Sequence, residues 1–452
     1  MTDERLRIKS FTVSKLFGLY DHTISLNSDR RITIMHGENG VGKTVLLRLI
    51  DSVFAGRYID VASIPFDSFE VELSDGSRIK ISEDSSVPEA AVAPNFRPLK
   101  IELVGSQVAP YIFPVTSELI TRLAIRIERE MPIYRTGANE WRDHEGGSGM
   151  TAADVVNIYL DRASEGVRQE MPSPPDWLKA FRSTVTVYLI ETQRLLTFPR
   201  DTRIGAGARG QWMTSTVKHH AAALYRTVSE TLARYASRAQ ALDQTFPQRL
   251  LTRTDIRPLP TTELKDKMSA LESRRAELQR LGILAESQPA AFNVESLDNA
   301  DETGLKAMTL YVDDTTTKFN ELNDLTNRLA LMLQIVNKKF RHKRIVTTRD
   351  HGLASVGDDN KPIALDVLSS GEQHELVLTY NLLFTVTPNS LVMIDEPELS
   401  FHINWQREFL KDIQEIVDSR HFDVLLATHS PSIVGDQSDL MISLSSGTES
   451  KT

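Results

Sequence analysis

The fold of this chain is decided by the stretch Gly37-Glu38-Asn39-Gly40-Val41-Gly42-Lys43-Thr44. Residues 31–36 before it predict a short buried strand, and residues 45–50 after it predict a helix. Glycines let backbone N–H groups converge on the β- and γ-phosphates of a nucleotide, and the helix N-terminus adds the positive end of its dipole. We therefore expect Lys43 to bind the phosphates and Thr44 to offer its hydroxyl to Mg²⁺.

Two neighbouring carboxylates, Asp395 and Glu396, form the second motif. They follow the apolar run 391–394, which predicts a central strand, and Pro397 ends that strand at once. The carboxyl ends of parallel strands are where open α/β sheets bind ligands. We expect Asp395 to hold Mg²⁺ and Glu396 to act as general base on the attacking water. The alternative is that both acids merely cap the following segment.

A histidine after a further strand is the third motif. The apolar run 424–427 predicts another buried strand, which brings Thr428-His429-Ser430-Pro431 to the same edge of the sheet. The imidazole of His429 can donate a hydrogen bond to a γ-phosphate oxygen. A structural histidine is the alternative, and the other motifs favour the catalytic role.

The fourth motif is the Ser-Gly-rich turn Leu368-Ser369-Ser370-Gly371-Glu372-Gln373, which lies ahead of a predicted helix. A turn of this kind is typical of ATPases that close two copies of themselves around ATP. Together the motifs predict an α/β fold: an ABC-type P-loop ATPase head formed by both chain ends, with an inserted helical or short coiled-coil domain.

The order of these motifs resembles the ABC-type ATPases of the SMC and RecF group. Residues 394–402 and 427–431 resemble, more narrowly, the OLD-family ATPases and their relatives in bacterial anti-phage systems. The resemblance covers about residues 5–82 and 345–445.

This resemblance implies further site residues. Ser369 and Gly371 would reach the γ-phosphate of ATP held by another protomer, and Glu372 would belong to the same nucleotide-binding turn. The chain would therefore form a homodimer or a higher homo-oligomer. Ser370 and Glu372 depart from the Leu-Ser-Gly-Gly-Gln form of transporters. The strand at residues 187–190 resembles the one that leads into the Q-loop, which assigns Gln193 to the Mg²⁺ and water site; a glutamine in a surface loop is the alternative.

Composition predicts a cytoplasmic protein. The chain has 452 residues, is 40% hydrophobic and contains no cysteine, so disulfides and Cys-ligated metals are excluded. No apolar run has the length of a membrane span, and the N-terminus is too polar for a signal peptide. The net charge of -9 gives no general attraction to DNA.

We predict three parts along the chain: residues 1–200 and 344–452 form the head, and residues 201–343 form a helical lid or short coiled-coil arm. Two apolar stripes support the helical part. They consist of Leu264, Met268, Leu271, Leu278 and Leu281, and of Leu322, Leu325, Leu329, Met332, Val336 and Phe340. A coiled coil between helices and ordinary lid packing fit these short stripes equally well.

The strongest basic run spans residues 338–344. It could bind DNA phosphates or an acidic partner. A solvated helix end is the alternative, because cations are favoured near the C-terminal end of a helix dipole.

These motifs predict Mg²⁺-dependent hydrolysis of ATP. Few residues follow His429, against about 100 for a typical domain, and the helical part shows no compact acidic cluster that could hold catalytic metals. We therefore expect a sensor or regulator of a separate nuclease or toxin, resembling the ATPase subunits of the Septu and PARIS anti-phage systems. A DNA-repair ATPase, a transporter ATPase and an ATP-binding scaffold with little turnover are the alternatives.

Overall fold

The computed structural model describes residues 6–88, 92–143, 149–191, 196–197, 214–252, 257–285, 294–348 and 352–444. Its contacts divide the chain into two units. Met1–Gln193 and Val386–Thr452 form the first, which we call the terminal unit, and the intervening residues 194–385 form the inserted unit. The prediction that both chain ends build one α/β unit around a helical insertion is confirmed.

The described strands and helices are numbered in chain order. The strands are β1 (Ile8–Leu16), β2 (Tyr20–Ser25), β3 (Ile32–His36), β4 (Ser68–Leu73), β5 (Arg78–Glu83), β6 (Leu99–Leu103), β7 (Tyr111–Phe113), β8 (Ile133–Gly137), β9 (Glu140–Asp143), β10 (Val187–Glu191), β11 (Leu196–Thr197), β12 (Thr214–Ser215), β13 (Lys343–Thr348), β14 (Gly352–Gly357), β15 (Pro362–Ile363), β16 (Leu391–Asp395), β17 (Asp423–Ala427) and β18 (Met441–Ser443). The α-helices are α1 (Lys43–Ala55), α2 (Tyr58–Ser63), α3 (Ser117–Glu128), α4 (Ala152–Tyr159), α5 (Glu165–Arg168), α6 (Asp176–Ser183), α7 (Thr216–Thr252), α8 (Thr261–Arg280), α9 (Glu302–Asn320), α10 (Asn323–Lys339), α11 (Ser370–Tyr380), α12 (Ile403–Arg420) and α13 (Pro431–Val434).

A parallel sheet in the order β10-β16-β17-β3-β18 forms the centre of the terminal unit. The first four residues of β16 and of β3, and all five of β17, are buried. Parallel sheets covered on both faces need such continuous apolar strands. Because all five strands run the same way, the segments that follow them meet at one edge.

An antiparallel sheet in the order β2-β1-β4-β5-β6-β7 is the second sheet of the terminal unit. The alternating burial of β4 fits a sheet with one face against the core. The side chains of Phe11, Phe69, Leu46 and Met393 belong to one hydrophobic core that joins this sheet to α1 and to the parallel sheet.

Helices dominate the inserted unit, and β13, β14 and β15 form an antiparallel sheet within it. The apolar stripe of α10 is buried, and α10 packs against β13 and α11, while α8 packs against α9. The apolar stripes are therefore buried by packing of helices within the inserted unit.

The inserted unit ends at residue 385, whereas the sequence predicts its end at residue 343. Residues 344–385 contain β14 and α11, and both of these elements pack against α7. Contacts between residues so far apart in the chain leave no signal in local sequence patterns.

Candidate functional site

The predicted phosphate loop connects β3 to α1. Gly40 and Gly42 have φ values of 89° and 93°, which strain any residue with a Cβ. A Cβ at Gly37 would lie 3.0 Å from the carbonyl oxygen of Leu444. No side chain caps the N-terminus of α1, so its first N–H groups are free to face an anion. Within the loop, the residues from Glu38 to Gly40 are exposed and Val41 is buried.

Lys43 is the buried cation of this loop. Its Nζ donates to the carbonyl oxygens of Gly37 at 2.8 Å and Glu38 at 3.0 Å. The same Nζ lies 3.3 Å from His429 Nδ1. Burial lowers the pKa of the Lys43 ammonium, and the carboxylates at positions 396, 395 and 398 oppose this shift. The lysine is therefore surrounded by hydrogen-bond acceptors of the protein.

Asp395 and Glu396 lie at the carboxyl end of β16, where Asp395 pairs with Ala427 of β17. The N–H of Glu396 donates to the carbonyl of Ala427 at 2.9 Å, which extends the ladder beyond the strand. Glu396 has a φ of 46°, in the left-handed region. Such a conformation costs about 1–3 kcal/mol for a non-glycine residue and is commonest at functional sites.

His429 lies between the lysine and the predicted base. Its Nε2 is 3.6 Å from Glu396 Oε1, and both side chains are about one-third exposed. The structure thus brings Lys43, His429 and Glu396 into one row at the edge of the parallel sheet. Glu396 can meet solvent water there, as a general base for hydrolysis must.

Sequence reasoning assigned residues 397–402 to a loop that crosses the dimer but gave Glu398 no role of its own, and this residue contacts the loop that carries His429. Its Oε1 accepts hydrogen bonds from the N–H of His429 at 2.6 Å and from Thr428 Oγ1 at 2.8 Å. The signal available in the sequence was an acid two residues beyond the predicted base, but no pattern shows where that side chain points.

Thr44 and Asp395 are the side chains that fit Mg²⁺. Thr44 is half-buried in the first turn of α1, and both offer the hard oxygen atoms that this ion prefers. Across the described ranges, no group of three or more His, Cys, Asp or Glu residues could hold a metal by itself. In enzymes that act on nucleotides, Mg²⁺ usually takes one or two side-chain ligands together with phosphate oxygens and water. Gln193 lies outside the described residues.

The predicted signature turn belongs to the inserted unit, where Ser369 caps α11. Its Oγ accepts from the N–H of Glu372 at 3.4 Å, and Glu372 Oε2 accepts from the N–H of Ser369 at 2.8 Å. Lys343 Nζ donates to the same Oε2 at 2.9 Å. Burial alone would raise the pKa of the Glu372 carboxyl, yet the bonds from Lys343 and Ser369 hold it below its ordinary value. Ser369 is exposed at the start of the helix and Gly371 is half-buried.

Several cations of the basic run 338–344 bind inside the inserted unit. Lys339 forms an ion pair with Glu375 at 2.6 Å, and both side chains are almost fully buried. Lys343 pairs with Glu372, and Arg344 donates to Asn360 Oδ1 at 2.6 Å. Lys339 and Lys343 thus hold α11 in place, whereas Lys338, Arg341 and Arg344 are exposed.

A family model described as an AAA ATPase domain matches residues 262–434. The match covers less than half of the chain and includes the signature turn, the two carboxylates and His429. No curated protein matches the chain.

Two solved structures are similar to this chain at low identity. One is an Smc head domain from Pyrococcus furiosus with an extended coiled coil, bound to the C-terminal domain of ScpA. It has 12% identity and a TM-score of 0.38, with 98% of this chain and 95% of that chain covered. The other is an SmcHead bound to the C-winged helix domain of ScpA, with 11% identity, a TM-score of 0.36 and coverages of 97% and 93%. Similarity at this level is weak, and the fold described above rests on the chain's own strand order and phosphate loop.

In the part of the chain that the structure describes, no helix combines the length and the apolar character that a membrane span requires.

Proposed function

We propose that this protein hydrolyses ATP with Mg²⁺ and that two copies close around the nucleotide. The observation that carries the proposal is the row of Lys43, His429 and Glu396, with gaps of 3.3 Å and 3.6 Å, beside an uncapped helix N-terminus. A cation, a proton donor and a carboxylate at one edge suit phosphoryl transfer to water, in which charge stabilisation and orientation of the water supply most of the catalysis.

Each group has a separate task in this reaction. The N–H groups of the loop and Lys43 bind the phosphates, and Lys43 exchanges its bonds to Gly37 and Glu38 for phosphate oxygens. Glu396 orients water and accepts its proton, and His429 donates a hydrogen bond to the phosphate that is transferred. Thr44 and Asp395 would hold Mg²⁺, which neutralises charge on the phosphates when it is bound.

The exposed cap of α11 supports the proposed role of Ser369, Gly371 and Glu372 on ATP held by a second protomer. Apart from the N–H of Glu372, which Ser369 caps, the first turn of this helix offers N–H groups to an anion. Glu372 is tied to Ser369 and to Lys343, so the turn is held in one shape. The active species would then be a homodimer or a higher homo-oligomer.

We further propose that the ATPase regulates a separate effector, a nuclease or toxin, in bacterial anti-phage defence. The resemblance of residues 394–402 and 427–431 to the OLD-like ATPases supports this role. The effector would be held or released according to the nucleotide state, since a ligand that binds two states differently shifts their populations.

Two substitutions test the chemistry. Lys43→Ala should lose productive ATP binding, whereas Glu396→Gln should retain binding and stall turnover, because only the base is lost. Nucleotide affinity and phosphate release are measured for both, with Lys411→Ala, an exposed lysine of α12, as the control. Near-normal turnover in Glu396→Gln would exclude that residue as the base.

An assay of the purified protein alone tests whether the effector is a separate chain. With ATP and Mg²⁺ or Mn²⁺ it should leave plasmid DNA and RNA uncut. Cleavage that disappears on substitution of a residue of this chain would show that the effector activity is its own.

A further inference from the structure

Glu398 connects two loops at the carboxyl edge of the parallel sheet. It lies on the 3-10 turn Pro397–Ser400, directly after Asp395 and Glu396. Its Oε1 accepts two hydrogen bonds from the next loop, from the N–H of His429 and the hydroxyl of Thr428. Bonds to an ionised acceptor are about twice as strong as neutral ones. The loop that follows β17 is therefore fixed to the turn that follows β16.

The contact restrains three successive residues. Thr428 is fully buried, and its Oγ1 also accepts from the N–H of Ser430 at 3.0 Å. The carboxylate of Glu398 thus holds the N–H of His429 directly and the N–H of Ser430 through the hydroxyl of Thr428. The imidazole of His429 projects from this restrained segment. Its Nδ1 lies 3.3 Å from Lys43 Nζ, and its Nε2 lies 3.6 Å from Glu396 Oε1.

Gln406 of α12 closes the network from the other side. Its Oε1 accepts from Ser430 Oγ at 2.7 Å, and its Nε2 donates to the carbonyls of Phe401 at 3.0 Å and Glu398 at 3.3 Å. The turn and the histidine loop are consequently held by one chain of hydrogen bonds.

Packing alone does not explain a glutamate at position 398. Its Oε2 is buried and has no hydrogen-bond partner among the described residues. An unsatisfied buried acceptor costs about 1–3 kcal/mol, and more when the group is charged. A carboxylate at this position therefore serves its two bonds to the histidine loop at the expense of stability.

We propose that Glu398 is a positioning residue for ATP hydrolysis: it holds the main chain of His429 so that the imidazole stays between Lys43 and Glu396. This inference rests on the proposed ATPase function. Glu398 acts through His429, so its loss should slow the chemical step and leave nucleotide binding almost intact.

Glu398→Ala should lower kcat about 10- to 100-fold, the effect of misplacing a reacting group by about 1 Å. The affinity for ATP should stay within about threefold of wild type. Glu398→Gln keeps an oxygen that accepts both bonds and should recover most of kcat. Leu399→Ala, on the same turn with an exposed side chain, is the control. Equal losses of kcat and affinity, or no loss in Glu398→Ala, would overturn the proposal.

A double-mutant cycle with His429→Ala tests whether the effect passes through the histidine. The double variant should be no slower than His429→Ala alone, because the group that Glu398 positions is already absent. Two independent, multiplying losses would refute positioning. If Glu398→Ala does not fold, Glu398→Asp replaces it, since its shorter side chain withdraws the carboxylate and must lower kcat where Glu398→Gln does not. A wild-type protein without turnover would refute the ATPase function itself.

Discussion

Replacing Gly42 with alanine should destabilise the terminal unit more than replacing Gly40, although the two glycines share one backbone conformation. Their φ values are 93° and 89°. The left-handed region costs an L-residue about 1–2 kcal/mol, so both substitutions should lower the free energy of unfolding by this amount. The surroundings then separate them. A Cβ at position 42 would lie 2.6 Å from Leu16 Cδ2, whereas at position 40 no described atom lies within 4 Å.

Leu16 cannot move aside without disturbing the core. It is fully buried in the cluster that joins β1 to α1. Forcing an extra methyl group into such a site costs about 1–3 kcal/mol. The total for Gly42→Ala is therefore about 2–5 kcal/mol, against about 1–2 kcal/mol for Gly40→Ala.

Urea denaturation followed by tryptophan fluorescence measures this difference, since the buried Trp141 reports on the terminal unit. Both variants should unfold with the slope of wild type and with lower midpoints. If Gly42→Ala is no less stable than Gly40→Ala, the clash with Leu16 does not exist and the reasoning fails.

Two further predictions concern the oligomer and the inserted unit. Mixing Lys43→Ala with Ser369→Arg chains should restore roughly a quarter of wild-type turnover, because about half of the dimers are mixed and each of these holds one intact composite site out of two. Mixed dimers that form and stay inactive would contradict action between protomers. Burial and the neighbouring His219 lower the pKa of His220 from 6.5 to about 4 in the folded protein. As the pH drops, His220 is therefore protonated in the unfolded chain before it is protonated in the folded one. The free energy of unfolding should consequently fall between about pH 6.5 and pH 4. His220→Phe, which keeps the stack on Tyr380, should reduce that fall in urea titrations at pH 4.5 and 7; an unchanged pH dependence would exclude His220 as its source.

The strands and helices that hold the site could be predicted from the sequence, because each motif lies directly next to residues that predict a strand or a helix. The strand predicted at residues 424–427 is β17 (Asp423–Ala427), and the two acids predicted at a strand end are the last residue of β16, Asp395, and the residue after it, Glu396. Apolar runs of four to six residues next to glycine or proline leave few alternatives.

Contacts between distant side chains could not be predicted. The bond that the N–H of His429 donates to Glu398 depends on the direction of one side chain on a single 3-10 turn. The run 338–344 appeared as open charge, yet Lys339 points to Glu375 through the packing of α10 on α11. Such pairs depend on the packing of helices against each other, and the sequence does not show whether a charged residue is buried or exposed.

The position of β3 between β17 and β18 has a consequence during synthesis. β3 is made early, yet its neighbours in the sheet come from residues 423–427 and 441–443, and Arg7 also binds Asp423 through a bond of 2.8 Å. At about 5–20 residues per second, the ribosome needs about 20–80 s to reach them, and both edges of β3 wait unpaired for that time. A nascent chain cannot place Lys43 beside His429 until the later strands have left the ribosome, so a chain whose translation is interrupted carries the phosphate loop without its histidine and carboxylates.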